Sequence, residues 1–331
     1  MDKTLSGEFG WIEQIRRQFA PLVPSGTEGI GDDCAVIPWN ETEYLVVTTD
    51  MLVEGIHFKL DRIASEDLGY KSLAVNLSDV ASMGATPIAS FLSIGLPGTL
   101  PESWKTGFLN GYHWLSEKFG VPLLGGDTTG ADKVVINVTA LGKVARDRIK
   151  RRSGARPGDI VCVTGHLGNS AAGLRLLSEG IAAEIEAAGL VGAHNRPRAQ
   201  LAEGIWLGTR PGVHAMADVS DGIASDLVHI LEESGVGAVV DLDCLPLSPA
   251  LLKAAKRYGW NAEQLAVSGG EDYVLLFTTE RDSFNKLKQR FTSQFDCELT
   301  AIGEIVAGET AVTWRRGGEF VDADYKGFVH F

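Results

Sequence analysis

Apolar positions along the chain change period repeatedly, and each change marks an element. Over residues 8–19 they recur at Phe9, Ile12, Ile15 and Phe19, the spacing of one helical face. Two short β-type runs follow, at 34–38 and 44–49. Residues 66–83 carry Leu73, Leu77 and Val80 at i, i+4 and i+7, and Gly84 stops the run, which predicts a second helix. A strand at 88–96, a helix opened by Pro101 and Glu102, and strands near 121–124 and 134–144 complete the first half. Beyond it, 160–164 predicts a strand, followed across Gly165 and Gly168 by a helix to about Leu177. The pattern then gives a strand at 214–219 and a helix at 223–233 with Ile223, Leu227, Ile230 and Leu231 on one face. A strand at 274–279, a helix at 283–291 and strands at 300–306 and 311–314 close the chain. Interleaved strands and helices without a short fixed repeat predict an α/β (α+β) fold of layered units.

Length sharpens this to two domains, since 331 residues exceed the usual size of one. The boundary is expected where six basic residues (Arg146, Arg148, Lys150, Arg151, Arg152, Arg156) crowd into 11 positions beside Gly154, Pro157 and Gly158. The expected domains are 1–147 and 148–331.

Charge and composition remove several function classes. Thirty basic against 43 acidic residues leave a net charge of −13, with no general surplus from which to build a phosphate-backbone interface, so no nucleic-acid partner is expected. No run of about 18 apolar residues exists, so no membrane span is expected either. The first eight residues lack the basic-then-apolar build of a signal peptide. Cys34, Cys162, Cys244 and Cys297 are scattered without CxxC spacing, as in a reduced, cytoplasmic protein. Glycine is in excess at 39, against about 23 at average usage, and its neighbours are informative.

Carboxylates follow those glycines in turns instead of lying on helix faces among Lys and Arg. Asp32 and Asp33 sit in Gly29-Ile30-Gly31-Asp32-Asp33, Asp50 ends the run Val46-Val47-Thr48-Thr49-Asp50, and Asp127 follows Gly125-Gly126. Asp79 lies on an otherwise apolar helix, Asp218 and Asp221 flank Val219-Ser220, and Glu271 and Asp272 follow Ser268-Gly269-Gly270. Carboxylates and hydroxyls gathered in a crevice at strand ends, without adjacent cations, point to hard metal ions such as Mg²⁺. The bland alternative for each is a turn or a helix cap; Ser220 or Asp221 could simply cap the helix that follows. An acidic metal cleft suits phosphates, yet the nucleotide signatures are absent: Gly142-Lys143 is followed by Val144, and Cys34 stands where a third glycine would complete Gly29-Ile30-Gly31.

Seven segments taken together are specific. Gly-Ile-Gly-Asp-Asp-Cys-Ala (29–35), Thr-Thr-Asp-Met-Leu-Val-Glu-Gly-Ile-His-Phe (48–58), Lys-Ser-Leu-Ala-Val-Asn-Leu-Ser-Asp-Val-Ala-Ser-Met-Gly-Ala (71–85), Gly-Gly-Asp-Thr-Thr (125–129), Arg-Ser-Gly-Ala-Arg-Pro-Gly-Asp (152–159), Asp-Val-Ser-Asp-Gly (218–222) and Ser-Gly-Gly-Glu-Asp-Tyr (268–273) resemble, in order, the thiamine-monophosphate kinase family of the aminoimidazole-ribotide-synthetase-like superfamily. The resemblance implies an N-terminal α/β domain that pairs with its copy in a homodimer, a C-terminal α/β domain, and the ATP-dependent phosphorylation of thiamine monophosphate with several Mg²⁺ ions. It assigns Asp33, Thr48, Thr49, Asp50, Asp79, Asp127, Asp218 and Asp221 to metal. Gly126, Asp127, Arg152 and Ser220 are assigned to ATP, and His57, Glu271 and Tyr325 to the acceptor. Tyr325 departs from the Trp or Phe of the family by an added hydroxyl. Asp32 is expected to support Asp33 from behind.

The implied acceptor is a phosphate oxygen, already ionised, so neither a general base nor a covalent nucleophile is expected. The competing readings are another ATP-using member of the superfamily and a Mg²⁺-dependent phosphatase. A selenophosphate synthetase would need a cysteine or selenocysteine before Asp32, where this chain has none.

Overall fold

The computed structural model describes residues 7–181 and 187–329. Its first half runs α1 (Gly7–Phe19), β1 (Ala35–Pro38), β2 (Glu43–Val53), α2 (Ser65–Ser82), β3 (Thr86–Leu96), α3 (Glu102–Phe119), β4 (Leu123–Gly130) and β5 (Val135–Ala145). The strands form one sheet in the order β1-β2-β5-β3-β4. All neighbours are antiparallel except β3 and β4, which α3 joins as a parallel crossover.

The second half contains β6 (Ile160–Thr164), α4 (Asn169–Ser178), α5 (Ala188–Asn195), α6 (Leu201–Gly208), β7 (Val213–Asp218), α7 (Ile223–Ser234) and β8 (Gly237–Asp241). Then come α8 (Pro249–Tyr258), α9 (Ala262–Ser268), β9 (Leu275–Thr279), α10 (Arg281–Gln294), β10 (Leu299–Val306), β11 (Val312–Arg316) and β12 (Glu319–Val321). Its sheet runs β12-β11-β8-β10-β6-β9-β7, and only β8 and β11 are parallel. The crevice of a parallel sheet, expected for the aspartates, is therefore not the device in use. Antiparallel pairing of β7 with β9 sets Asp218, at the end of one, against Leu275, at the start of the other. The Asp218 turn and the Glu271 loop become neighbours for that reason.

Helix α2 is the axis of the molecule. Fourteen of its 18 residues are buried, on every side, as for an interior helix and not an amphipathic surface one. It packs on β2, β5 and α3 of the first half and on α5, α6 and β7 of the second. Glycines permit the approach: a Cβ on Gly111 of α3 would lie 1.7 Å from the Glu66 carbonyl oxygen, and one on Gly204 of α6 would lie 2.1 Å from that of Ala81.

Strand β4 departs from its expected span of 121–124. It continues through Gly125-Gly126-Asp127-Thr128-Thr129, because β3 supplies a parallel ladder along its length. Gly126 is required there: its φ is +151°, and a Cβ would sit 1.7 Å from the Leu92 carbonyl oxygen. No described helix is long and apolar enough to cross a membrane.

Gly111→Ala should force α2 and α3 apart. Loss of about 1–3 kcal/mol in denaturant unfolding is expected, as for overpacking; an unchanged midpoint would show that the helix pair yields without strain.

Candidate active site

Six of the expected metal residues converge between the two halves. Asp33 lies in the turn before β1, Thr48 and Asp50 on β2, Asp79 on α2, Asp218 at the end of β7 and Asp221 before α7. Strand alternation sends Thr48 and Asp50 to the α2 side of the sheet. There the Thr48 hydroxyl donates to Asp79, and the Asp50 backbone N–H donates to Asn76 Oδ1 at 3.1 Å. From the other half, Asp218 accepts from the Ser78 hydroxyl of the same helix.

Burial, and after it mutual repulsion, shows in the titration of these groups. Burial raises Asp50 to about 6, with Asp221 and Asp33 adding to the shift. Burial, then Asp33, raises Asp218 to about 8, against opposing help from Ser78 and Arg152. Asp79 is pushed well above the carboxylate range by burial and by Asp50, Asp218 and Asp33. Asp32 rises to about 7 through burial and Asp33.

Arg152 is the cation within this group. Its Nε and Nη2 lie 2.8 and 2.6 Å from Asp33 Oδ1, while its backbone N–H donates to Asp32 Oδ2 at 3.0 Å. Asp33 Oδ2 is left buried without a hydrogen-bond partner. An orphaned carboxylate oxygen among hard oxygen donors fits a cation of the Mg²⁺ type. No three carboxylate, imidazole or thiolate groups among the described residues already converge at metal-holding separation, so the cluster is coupled by charge but open.

The remaining two expected metal residues lie elsewhere. Thr49 alternates to the opposite face of β2, where Asn137 Nδ2 donates to its Oγ1 at 3.0 Å. Asp127 lies three strands away on β4, in register with Ser93 and, through it, Asn137. At about 4.8 Å per strand it is roughly 14 Å from β2. Gly126 lies beside it on the same edge.

The acceptor candidates divide in the same way. Gly270 packs against the Asp218 turn, where a Cβ would meet the Ser220 carbonyl oxygen at 2.4 Å, and the Glu271 N–H donates to that oxygen at 2.7 Å. Glu271 itself adopts a left-handed φ of 61°. Burial would raise its pKa, but Lys71 and His194 outweigh burial and hold it at about 2. His57 shares a small cleft with His194. Its Nδ1 accepts the Val53 N–H at 3.0 Å, which places its proton on Nε2.

Tyr325 is not brought to this group. Its hydroxyl bonds Glu263, and its ring packs edge-on against Trp314 at 5.0 Å. The terminal segment instead sets Phe328 beside the cluster, with its N–H donating to the Asp221 carbonyl oxygen at 3.0 Å. Four further residues were not anticipated. Asp226, 3% exposed, accepts the Asp221 N–H at 3.1 Å, while Asn76, Ser78 and Lys71 all come from α2. Lys71 carried a readable signal, being the one cation of the helix and set among Leu68, Leu73 and Leu77.

The chain matches the family model of the AIR synthase related protein N-terminal domain over residues 31–144 and that of the C-terminal domain over 156–315. It is 40% identical to thiamine-monophosphate kinase of Salmonella typhimurium over 98% of both chains, and 35% identical to that of Bacillus subtilis over 92% of this chain and 93% of the relative. A solved ThiL structure in complex with AMPPCP and TMP superposes with a TM-score of 0.86 at 34% identity, covering 100% of this chain and 99% of the other. The thiamine-monophosphate kinase of Stenotrophomonas maltophilia gives 0.77 at 38% identity, covering 95% and 98%.

A carboxyl whose folded-state pKa lies above its ordinary value stabilises the fold below that ordinary value and loses the contribution as pH rises through the folded one. With Asp50 at about 6 and Asp218 at about 8, the chelated protein should melt at a lower temperature at pH 8 than at pH 5. Added Mg²⁺ should raise the melting temperature more at pH 8, where it meets ionised carboxylates. Scanning fluorimetry in EDTA and in Mg²⁺ checks both, and equal Mg²⁺ shifts at the two pH values would count against a metal cluster.

Proposed function

The chain belongs to the thiamine-monophosphate kinase family and phosphorylates thiamine monophosphate with ATP, and we propose that the phosphoryl group passes directly, in line, across the aspartate cluster between the two domains. The observation that carries this is the convergence of Asp33, Asp50, Asp79, Asp218 and Asp221 on a site with Arg152 as its cation, where burial and then the neighbouring carboxylates raise Asp50, Asp79 and Asp218.

Charge accounting sets the requirements. ATP brings about −4 and the acceptor about −2, into a site already lined with carboxylates. Mg²⁺ would be held by those five aspartates with Thr48, and when bound it neutralises the phosphates and the charge that develops in transfer. Arg152 offers a guanidinium to the phosphates, and Ser220 lies in the turn that Glu271 straps down. The acceptor's phosphate oxygen attacks the γ-phosphorus, and the bond to the β–γ bridging oxygen breaks, releasing ADP. The attacking oxygen carries no proton at neutral pH, so no carboxylate needs to act as a base. His57, through Nε2–H, and Glu271 orient the acceptor, which leaves catalysis to positioning and electrostatics.

The domain boundary falls, in this reading, between 147 and 148, and Thr49, Gly126 and Asp127 serve in a homodimer. All eight residues of edge strand β4 are exposed, and an open groove of about 620 Å³ beside them is lined by Leu92, Ile94, Trp104, Phe108 and Leu124. A bare edge over an apolar groove is suited to a second copy of the chain. Pairing there would cover the face that carries Thr49 and Asp127 and bring both toward a shared site.

Phosphorus NMR with ATP, Mg²⁺ and thiamine monophosphate should show thiamine diphosphate and ADP, abolished by EDTA and reduced at least about 100-fold by Asp218→Asn. Labelled phosphate retained on the protein after ATP alone would refute direct transfer. Free phosphate without the acceptor would indicate a phosphatase. Leu124→Asp should convert a dimer to monomer by light scattering and lower kcat; an active monomer would separate dimerisation from the site.

A further inference from the structure

We propose that Lys71 and His194 are positioning residues for the acceptor, clamping the two oxygens of Glu271 so that its carboxylate meets thiamine monophosphate in one fixed orientation. This rests on the reading that Glu271 touches the acceptor.

Lys71 stands in the middle of α2 and is 1% exposed. Its Nζ lies 2.9 Å from Glu271 Oε1 but makes no well-aligned hydrogen bond, so the contact is one of charge. From α5, His194 brings Nδ1 to 3.0 Å from Oε2, with Ser170 Oγ 3.1 Å from the same nitrogen. Among the described residues each carboxylate oxygen thus has one partner, on different elements, and the backbone of Glu271 is itself tied to Ser220. A carboxylate has about four acceptor sites, so lone pairs remain for a donor on the ligand.

Stability does not explain such a pair. A buried ion pair is often no better than well-packed apolar side chains of similar volume. A left-handed φ at a non-glycine residue is a further strain, of the kind found at ligand clamps.

The charges also suit the place. Burial and Lys71 hold His194 below its ordinary value, hence neutral, with the Nδ1 proton directed at Glu271. Lys71 and Glu271 then cancel, and the carboxylate adds no net charge to the neighbouring aspartates that must admit two phosphates. Because His194 also lines the cleft with His57, the clamp reaches the second acceptor candidate.

Steady-state kinetics on the full-length chain test the clamp. Lys71→Met should raise KM for thiamine monophosphate about tenfold or more, leave KM for ATP within about twofold and leave kcat at saturation within about threefold. Lys71→Arg should restore most of the acceptor affinity. In a Glu271→Gln background, Lys71→Met should add little, since the two act as one unit. His194→Gln should move the same constant and serves, with Lys71→Arg, if Lys71→Met fails to fold by thermal unfolding. Folded variants with unchanged acceptor KM overturn the clamp, as does a fall in kcat with both KM values shifted together. Glu271→Gln alone separates the two levels. If it leaves acceptor KM unchanged, the underlying reading of Glu271 fails. If it raises KM while Lys71 and His194 variants do not, only the clamp fails.

Discussion

Like charge crowded into a buried space is the constraint around which this molecule is organised. Asp33, Asp50, Asp79, Asp218 and Asp221 come from both halves of the chain, and burial and repulsion raise several of them toward or beyond neutrality. An arrangement that works against its own folding in this way is retained for ligands that reverse the sign of the interaction. Every neighbouring feature bears on that balance: the Thr48 and Ser78 hydroxyls, the Arg152 guanidinium on one oxygen of Asp33, and the other oxygen left bare.

Helix α2 turns the constraint into geometry. At 100° per residue, Lys71 and Ser78 lie on nearly one line along the helix, and Asn76 and Asp79 flank a second direction about 120° away. The first line meets the second half, at Glu271 and Asp218; the other meets β2, at Asp50 and Thr48. One buried helix thereby registers the Glu271 loop, the aspartate turn and the first sheet against each other. Any shift of α2 would disturb all three, which accounts for the close glycine contacts along its length.

Pairing in the sheets does the remaining work. The antiparallel match of β7 and β9 makes Asp218 and Glu271 neighbours although they are far apart in sequence. On β2 the alternation of side chains divides a continuous motif, sending Thr48 and Asp50 inward and Thr49 outward. Thr49 and Asp127, on that outward face, are exposed in the single chain.

Among the long elements, α2 was readable from its apolar period, α3 from its Pro101-Glu102 start and β5 from its β-type run. Length alone did not decide the rest: α5, α6, α8, α9, β8 and β12 were not read, whereas the five-residue β6 and β9 were, because each is a continuous apolar run. The chemistry of the site was also written locally, in aspartates that follow glycines and strand ends, and those motifs carry the family. Asn76 and Ser78 were lost to sequence reasoning because each acts on a partner from another element, and Asp226 because a carboxylate in the first turn of a helix reads as ordinary. Tyr325 was assigned to the acceptor by the family resemblance, and in this fold its ring packs on Trp314 and its hydroxyl bonds Glu263. Sequence by itself determined residue types and local conformation, since these depend on neighbours along the chain. Tertiary structure alone decided which carboxylates share a dielectric, which face each strand residue takes and which charge is cancelled, because those depend on distance across the fold.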